Sequence, residues 1–311
     1  MTSSYKKNLE SNSIYTNNFP TFSNTEKLEE FKRKFKLNNP SYDELYIGTG
    51  CIEYQKEYYD FLWNIFKPYA DRNFLTEIKT QFLQRSWEMY IGVVLLNHGF
   101  ELTNPGEGPD FILDDSIYVE CIAVNKGSEN SIYRVPERIQ SGTAEWSPKD
   151  KIQLRLTSGI EDKFSKYKNE WSKKNWFKRS SPFIIAINSG ELERPQQYPP
   201  DHPYIASVLY GVGELVFNIR REQIYFEYKN KIPKKNVEIE SELFQNKEYN
   251  LISGIIYSDS RLLSAPKNGN GLLYIQNENA VNPCDQEIFT SMRKYIRQVN
   301  DNGFADWKIQ R

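Results

Sequence analysis

Cysteine and histidine are scarce in this chain of 311 residues, which has only Cys51, Cys121, Cys284, His98 and His202. Three cysteines, odd in number and far apart, do not make a disulfide framework and suit a reducing cytosol. No CxxC pair occurs, which argues against structural zinc, and two histidines exclude a histidine-rich metal centre. His98 closes an apolar helix and reads as structural. Neither a GxSxG nor a Walker A sequence is present, and GVGE at 211–214 is too short for a nucleotide loop. The apolar runs are strand-sized, so none spans a membrane. The polar start, MTSSYKKNLESNSIYTNN, lacks the apolar stretch of a signal peptide. A cytoplasmic location and no membrane partner are therefore expected. Internal repeats and long low-complexity tracts are also missing. With a formal net charge of -1, nothing draws the whole molecule to nucleic acid, so such binding must come from local basic patches.

Aromatic residues are plentiful: 21 Tyr and 18 Phe within a hydrophobic share of 39% supply a sizeable core. Residues 1–23, rich in Ser, Asn and Thr, read as a loose tail. A helix should begin at the N-cap Asn24 and stop at Asn38-Asn39-Pro40, and a second should run from Tyr54 to Phe66. A longer helix is expected from about Asn73 to Gly99, with Leu75, Ile78 and Phe82 at helical spacing. Strands follow at Phe100–Leu102, DFILD and IYVECIAV, the last apolar enough for a central strand. The polar stretch Asn125–Lys149 reads as a long loop. Beyond it come a helix over Asp150–Trp171, a buried strand PFIIAIN, a short helix over Tyr204–Tyr210, and strands ISGIIYS and LLYIQ. A last helix is expected over Gln286–Val299. This order predicts an α/β fold with a mixed central sheet flanked by helices.

The chemistry concentrates in GPDFILDDSIYVE. If Asp114-Asp115-Ser116 turns the chain, Leu113 faces Ile117, and Asp110 lands opposite Glu120. Opposed residues of an antiparallel pair share a face, with Cβ atoms roughly 4.5–5.5 Å apart. Two carboxylates so close repel unless a cation lies between them. Mg²⁺ takes one or two carboxylates and leaves its other positions to water and phosphate oxygens. Glu88 is a third carboxylate, in the apolar helix WEMYIGVVLL, sharing a face with Ile91, Gly92 and Leu95. An inward glutamate needs a partner, either such a metal or Arg85 three residues earlier.

The helix Glu88, the pair Pro109-Asp110 and then Glu120-Cys121-Ile122 resemble the PD-(D/E)XK nuclease superfamily, most closely bacterial members with a GPDF…E core. The resemblance covers about residues 75–190 and, more weakly, the chain to 285. It implies a restriction-endonuclease-like core over 71–311, preceded by an N-terminal tail and helical extension over 1–70. It also implies a metal-dependent endonuclease. Asp110, Glu120 and Glu88 would ligate Mg²⁺, with Mn²⁺ as a substitute, and DNA would be the partner before RNA. The oligomeric state stays open, a homodimer included. The motif lysine is replaced by Ile122. Lys126 shares a face with Glu120 but would lie roughly 20 Å along a straight strand. Lys163 on the following helix is the stand-in expected to support the attacking water, with Arg155 after it.

Blander readings stand beside these. Asp110 and Glu120 could be a solvated strand-end pair, Glu88 an ordinary salt-bridged residue, and Lys163 a surface lysine. Asp114 and Asp115 are turn residues, and Cys121 belongs to the core. FKRKFK (31–36), KKNWFKR (173–179) and KNKIPKK (229–235) could contact phosphates or simply cover solvated faces. The loss of the lysine leaves a second reading, a nuclease-like fold that binds nucleic acid without cutting it. A third is an interaction protein that docks a partner on its aromatic N-terminal helices.

Overall fold

A computed structural model describes residues 11–137, 148–192, 202–220, 222–234, 237–299 and 305–310. The class is α/β, with a large mixed sheet flanked by helices. The chain divides into two compact units: Met1–Ala123 with Leu262–Gly269, and Val124–Arg261 with Asn270–Arg311. In the first unit the N-terminal helices pack onto the helix that carries Glu88.

In the first unit, α1 (Thr25–Asn38) starts where expected: Asn24 Oδ1 accepts from Lys27 N at 3.0 Å. The helices α2 (Glu44–Gly50) and α3 (Glu53–Phe66) follow. The segment ahead of α1 corrects the expectation of a loose tail from residue 11 onward, residues 1–10 lying outside the described residues. Ile14, Tyr15 and Phe19 are buried. Trp63 Nε1 donates to Ser11 O at 3.0 Å, and Ser13 Oγ and Ile14 N donate to Asp60 Oδ1 at 2.7 and 3.1 Å. Its aromatic side chains thus outweigh its polar composition, because α2 and α3 offer both an apolar surface and hydrogen-bond partners.

The single helix expected over 73–99 is two: α4 (Phe74–Glu77) and α5 (Phe82–Asn97). Asp43 explains the break. Its N–H donates to Lys79 O at 2.6 Å, and its Oδ2 accepts from Phe82 N at 3.2 Å. A residue distant in sequence therefore caps α5, a task its own Gln81 leaves undone. Gly99, at φ 89, follows the end of α5.

Strands β1 (Leu102–Thr103), β2 (Phe111–Leu113) and β3 (Ile117–Ala123) form an antiparallel sheet in that order. The β2–β3 register pairs Phe111 with Val119 and Leu113 with Ile117, as the turn chemistry predicts. Asp114 and Asp115 take φ 46 and 52 in the turn, which Ser116 N closes onto Leu113 O at 2.9 Å.

Helix α5 lies close on this hairpin at Gly92. A Cβ built there would stand 2.6 Å from a Phe66 ring carbon and 3.3 Å from Phe111. Gly92→Ala is therefore expected to cost about 1–3 kcal/mol by overpacking, measured by urea unfolding. An unchanged midpoint would mean that α5 can retreat freely. The late segment Leu262–Gly269 completes this unit: Tyr90 and Tyr58 donate to Pro266 O and Ala265 O at 2.7 and 3.3 Å.

The second unit opens with the irregular stretch 124–137, and residues 138–147 of the expected loop lie outside the described residues. Helix α6 (Lys149–Asn169), the fully buried strand β4 (Phe183–Asn188) and α7 (Tyr204–Tyr210) match the sequence reading. Two hairpins that it missed follow, β5 (Val212–Asn218) with β6 (Gln223–Tyr228) and β7 (Lys231–Lys234) with β8 (Val237–Glu240). Then come β9 (Gly254–Ser258), β10 (Leu273–Gln276), β11 (Arg293–Val299) and β12 (Ala305–Gln310). The sheet of this unit runs β4-β9-β10-β11-β12 and is mixed: β4/β9 and β10/β11 are parallel, β9/β10 and β11/β12 antiparallel. The helix expected over Gln286–Val299 is a correction. Only a 3₁₀ turn, Gln286–Ile288, forms, and β11 pairs with β10 and β12 instead. Tyr295, Ile296 and Val299 are good strand formers, so pairing on both sides decides against the helix.

Candidate active site

Asp110 and Glu120 meet at the open end of the β2–β3 hairpin, through each other's main chain as well as through their register. Asp110 N donates to Glu120 Oε2 at 3.1 Å, and Cys121 N donates to Asp110 Oδ2 at 2.7 Å. Each carboxylate is thereby fixed by a peptide N–H, a bond to the charged form that is stronger than a neutral one. Glu120 is buried and Asp110 half-buried. Before them, the loop NPGEGP turns at Gly106 (φ 76), whose N–H donates to Asn104 Oδ1 at 2.8 Å.

Glu88 comes from α5 and is only 1% exposed. Its Oε2 accepts from Arg85 Nη1 at 2.6 Å, one helical turn away. The same Arg85 bonds Asp71 Oδ2 at 3.0 Å and also reaches Glu77 Oε2. Burial lowers the Arg85 pKa, but the charges of Glu88, Asp71 and Glu77 outweigh it and hold the guanidinium firmly protonated. Glu88 Oε1 is buried with no hydrogen-bond partner. Burial first, and then the charge of Asp110, push the Glu88 carboxyl well above its usual range despite Arg85. Glu88 thus lies within electrostatic reach of Asp110. The blander reading, a glutamate satisfied by Arg85, covers one of its two oxygens.

Among the described residues, no group of three or more His, Cys, Asp or Glu side chains is arranged as a metal-ligand cluster. A two-carboxylate site needs none, since Mg²⁺ retains water and phosphate ligands. The donor chemistry is all oxygen, which suits Mg²⁺ or Mn²⁺ rather than zinc. The orphaned Glu88 Oε1 is a buried acceptor that a cation, or a water bound to one, would satisfy.

No protein-family model, curated protein or solved structure matches the chain. The residues themselves therefore carry the functional reading.

Ile122, two residues after Glu120, is half-buried. The two expected stand-ins belong to α6 in the second unit. Arg155 is engaged there: its Nε donates to Asn125 O at 2.9 Å and its Nη2 to Asn125 Oδ1 at 2.8 Å. Lys163 is half-buried on the same helix. Lys126 ion-pairs with Glu137 beyond the end of β3. Among the polar residues of α5, the sequence reading passed over Gln84. It stands four residues before Glu88, on the same helical face, and its carboxamide bonds to β3 at Cys121 O and Ala123 N, 3.0 and 2.9 Å away. Its only signal in the sequence was that spacing.

Of the three basic patches, FKRKFK lies on α1 and borders a groove with Lys32, Arg33 and Lys36, but Glu29 and Glu44 line it too, and Lys32 is paired with Glu29 and Lys34 with Glu30. Of KNKIPKK, Lys231–Lys234 form β7, where Lys231 pairs with Glu238. Both patches are mixed in charge and attract phosphate less than their sequences suggest.

Proposed function

We propose that the first unit carries a divalent-metal-dependent phosphodiesterase site of the PD-(D/E)XK type, an endonuclease acting on DNA in preference to RNA. One observation carries the reading: Asp110 and Glu120 are locked side by side by main-chain hydrogen bonds, and Asp110 interacts electrostatically with a buried glutamate that has an unsatisfied oxygen. Like charges held this close invite a cation. A helix bearing Glu88, followed by the hairpin bearing Pro109-Asp110 and Glu120, supports the resemblance to a restriction-endonuclease-like core.

Asp110 and Glu120 would hold Mg²⁺ or Mn²⁺, and Glu88 would meet it directly or through water. A metal so held polarises a phosphoryl oxygen and makes a bound water more acidic. Asp110 keeps Oδ2 on Cys121 N, so its carboxylate cannot swing away from the hairpin end. Glu88 adds negative charge, and its buried Oε1 can hold a proton until a cation arrives. Arg85 holds Oε2 and fixes the rotamer of Glu88. DNA as substrate follows from the resemblance, an argument by analogy.

Ile122 gives the second reading its footing. Without the family's lysine, the same unit would bind metal and nucleic acid and leave the phosphodiester intact. Incubating the full chain with supercoiled plasmid and with single-stranded DNA, in Mg²⁺, in Mn²⁺ and in chelator, separates the two. The nuclease reading expects nicked or cut product with metal only. DNA retained but intact under every metal would establish the binder instead.

A further inference from the structure

We infer that Gln84 is a positioning residue of this site, holding the Glu120–Cys121–Ile122 segment where the hairpin ladder gives out. The inference rests on the carboxylate site proposed above.

The β2–β3 ladder pairs Phe111 with Val119 and goes no further. Continued by two residues, its register would set Pro109 opposite Cys121. Proline has no N–H to give, so the Cys121 carbonyl loses its ladder donor at this point. Two side chains take over the edge of β3 that β2 abandons. Asp110 Oδ2 accepts from Cys121 N at 2.7 Å, and Gln84 Nε2 donates to Cys121 O at 3.0 Å. Gln84 Oε1 then accepts from Ala123 N at 2.9 Å, the next group along the same edge. The carboxamide, a donor and an acceptor side by side, thus replaces one peptide unit of a missing strand. A carboxylate could not donate, and an amine could not accept.

This bond pair ties α5 to β3 one residue beyond Glu120. Glu88 sits one turn further along α5 on the same face. The distance between the helix carboxylate and the hairpin carboxylates is therefore set at Gln84 on one side and at the Gly92–Phe111 contact on the other. Cys121, held by Asp110 at its N–H and by Gln84 at its C=O, links the two side chains through a single peptide residue. Support of this kind orients ligands without touching the ion, and its removal typically costs about 10–100-fold in metal affinity.

Mn²⁺ titration of the full chain, followed by the electron paramagnetic resonance of free Mn²⁺, tests this well below the unfolding temperature. Gln84→Met keeps the side-chain volume and removes both bonds; Gln84→Asn keeps the carboxamide one methylene short of its partners. Tyr90→Phe, which deletes a bond from the same helix to Pro266 O, controls for general loosening. The expected result is Mn²⁺ binding weakened about 10–100-fold in both Gln84 variants and unchanged in Tyr90→Phe. Wild-type affinity in a folded Gln84 variant overturns the inference and leaves the carboxylate site standing. Equal weakening in Tyr90→Phe overturns it too, as the effect would be loosening alone. No Mn²⁺ binding by the wild type removes the site itself.

Discussion

Asp110→Asn is expected to lower Mg²⁺-dependent DNA cleavage on the order of 10²–10³-fold, with the fold intact. The substitution is clean for a structural reason. Asn offers a carbonyl oxygen to Cys121 N in place of Oδ2, so the bond that shapes the hairpin end survives. What disappears is one negative charge beside Glu120. Glu120→Gln should do likewise, since a carboxamide oxygen can still accept from Asp110 N. The two residues act as a unit, so the double variant should lose little more than either single one. Cleavage assays at matched Mg²⁺, with near-ultraviolet circular dichroism as the folding control, decide the matter. An Asp110→Asn protein that cuts like the wild type would take the chemistry away from this hairpin.

The second large effect is on stability. Arg85→Met is expected to cost about 3–5 kcal/mol near pH 8, because it leaves a buried glutamate without its counter-charge. The 1% exposure of Glu88 leaves little solvent to compensate. The pH dependence carries the sign of a carboxyl whose folded pKa is raised, by burial first and by Asp110 second. The stability that such a group contributes is complete below its unfolded pKa and is lost as pH rises through the folded value. Removing Arg85 takes away an influence that lowers that value, so the folded pKa climbs further. The loss should therefore be smaller at pH 5, where Glu88 is more readily protonated, and larger at pH 8. Adding Glu88→Leu to Arg85→Met should recover part of it, since the buried charge goes too. Urea unfolding at the two pH values checks this, and an equal loss at both would mean that Glu88 is not the group left exposed to the change. Asp71 and Glu77, more open to solvent, lose the same partner at little cost.

The hairpin was legible because its determinants are local. Asp114 and Asp115 tolerate the left-handed backbone, and alternating apolar residues lock the register, so Asp110 and Glu120 could be paired by counting. Helix α5 was legible as a helix, and Arg85 as the neighbour of Glu88, since both depend on spacing alone. The break ahead of α5 was not, because its cap comes from Asp43, and nothing near Gln81 announces it. The packing of residues 11–19 was hidden by their polar neighbours; Trp63 and Asp60, which hold them, lie some fifty residues away in sequence. The β11 strand was misread because an amphipathic pattern over Gln286–Val299 also fits a helix, and only the pairing with β10 and β12 separates the two. Gln84 was overlooked because its role is defined by what Pro109 cannot donate, a property of the paired strands rather than of either sequence.

Crystals of the full chain soaked in Mn²⁺ and measured at the manganese absorption edge test the central claim most directly. An anomalous peak within coordination distance of both Asp110 and Glu120, roughly 2.0–2.2 Å from an oxygen of each, is the predicted result. Manganese bound elsewhere, with the space between these two carboxylates empty, would contradict it.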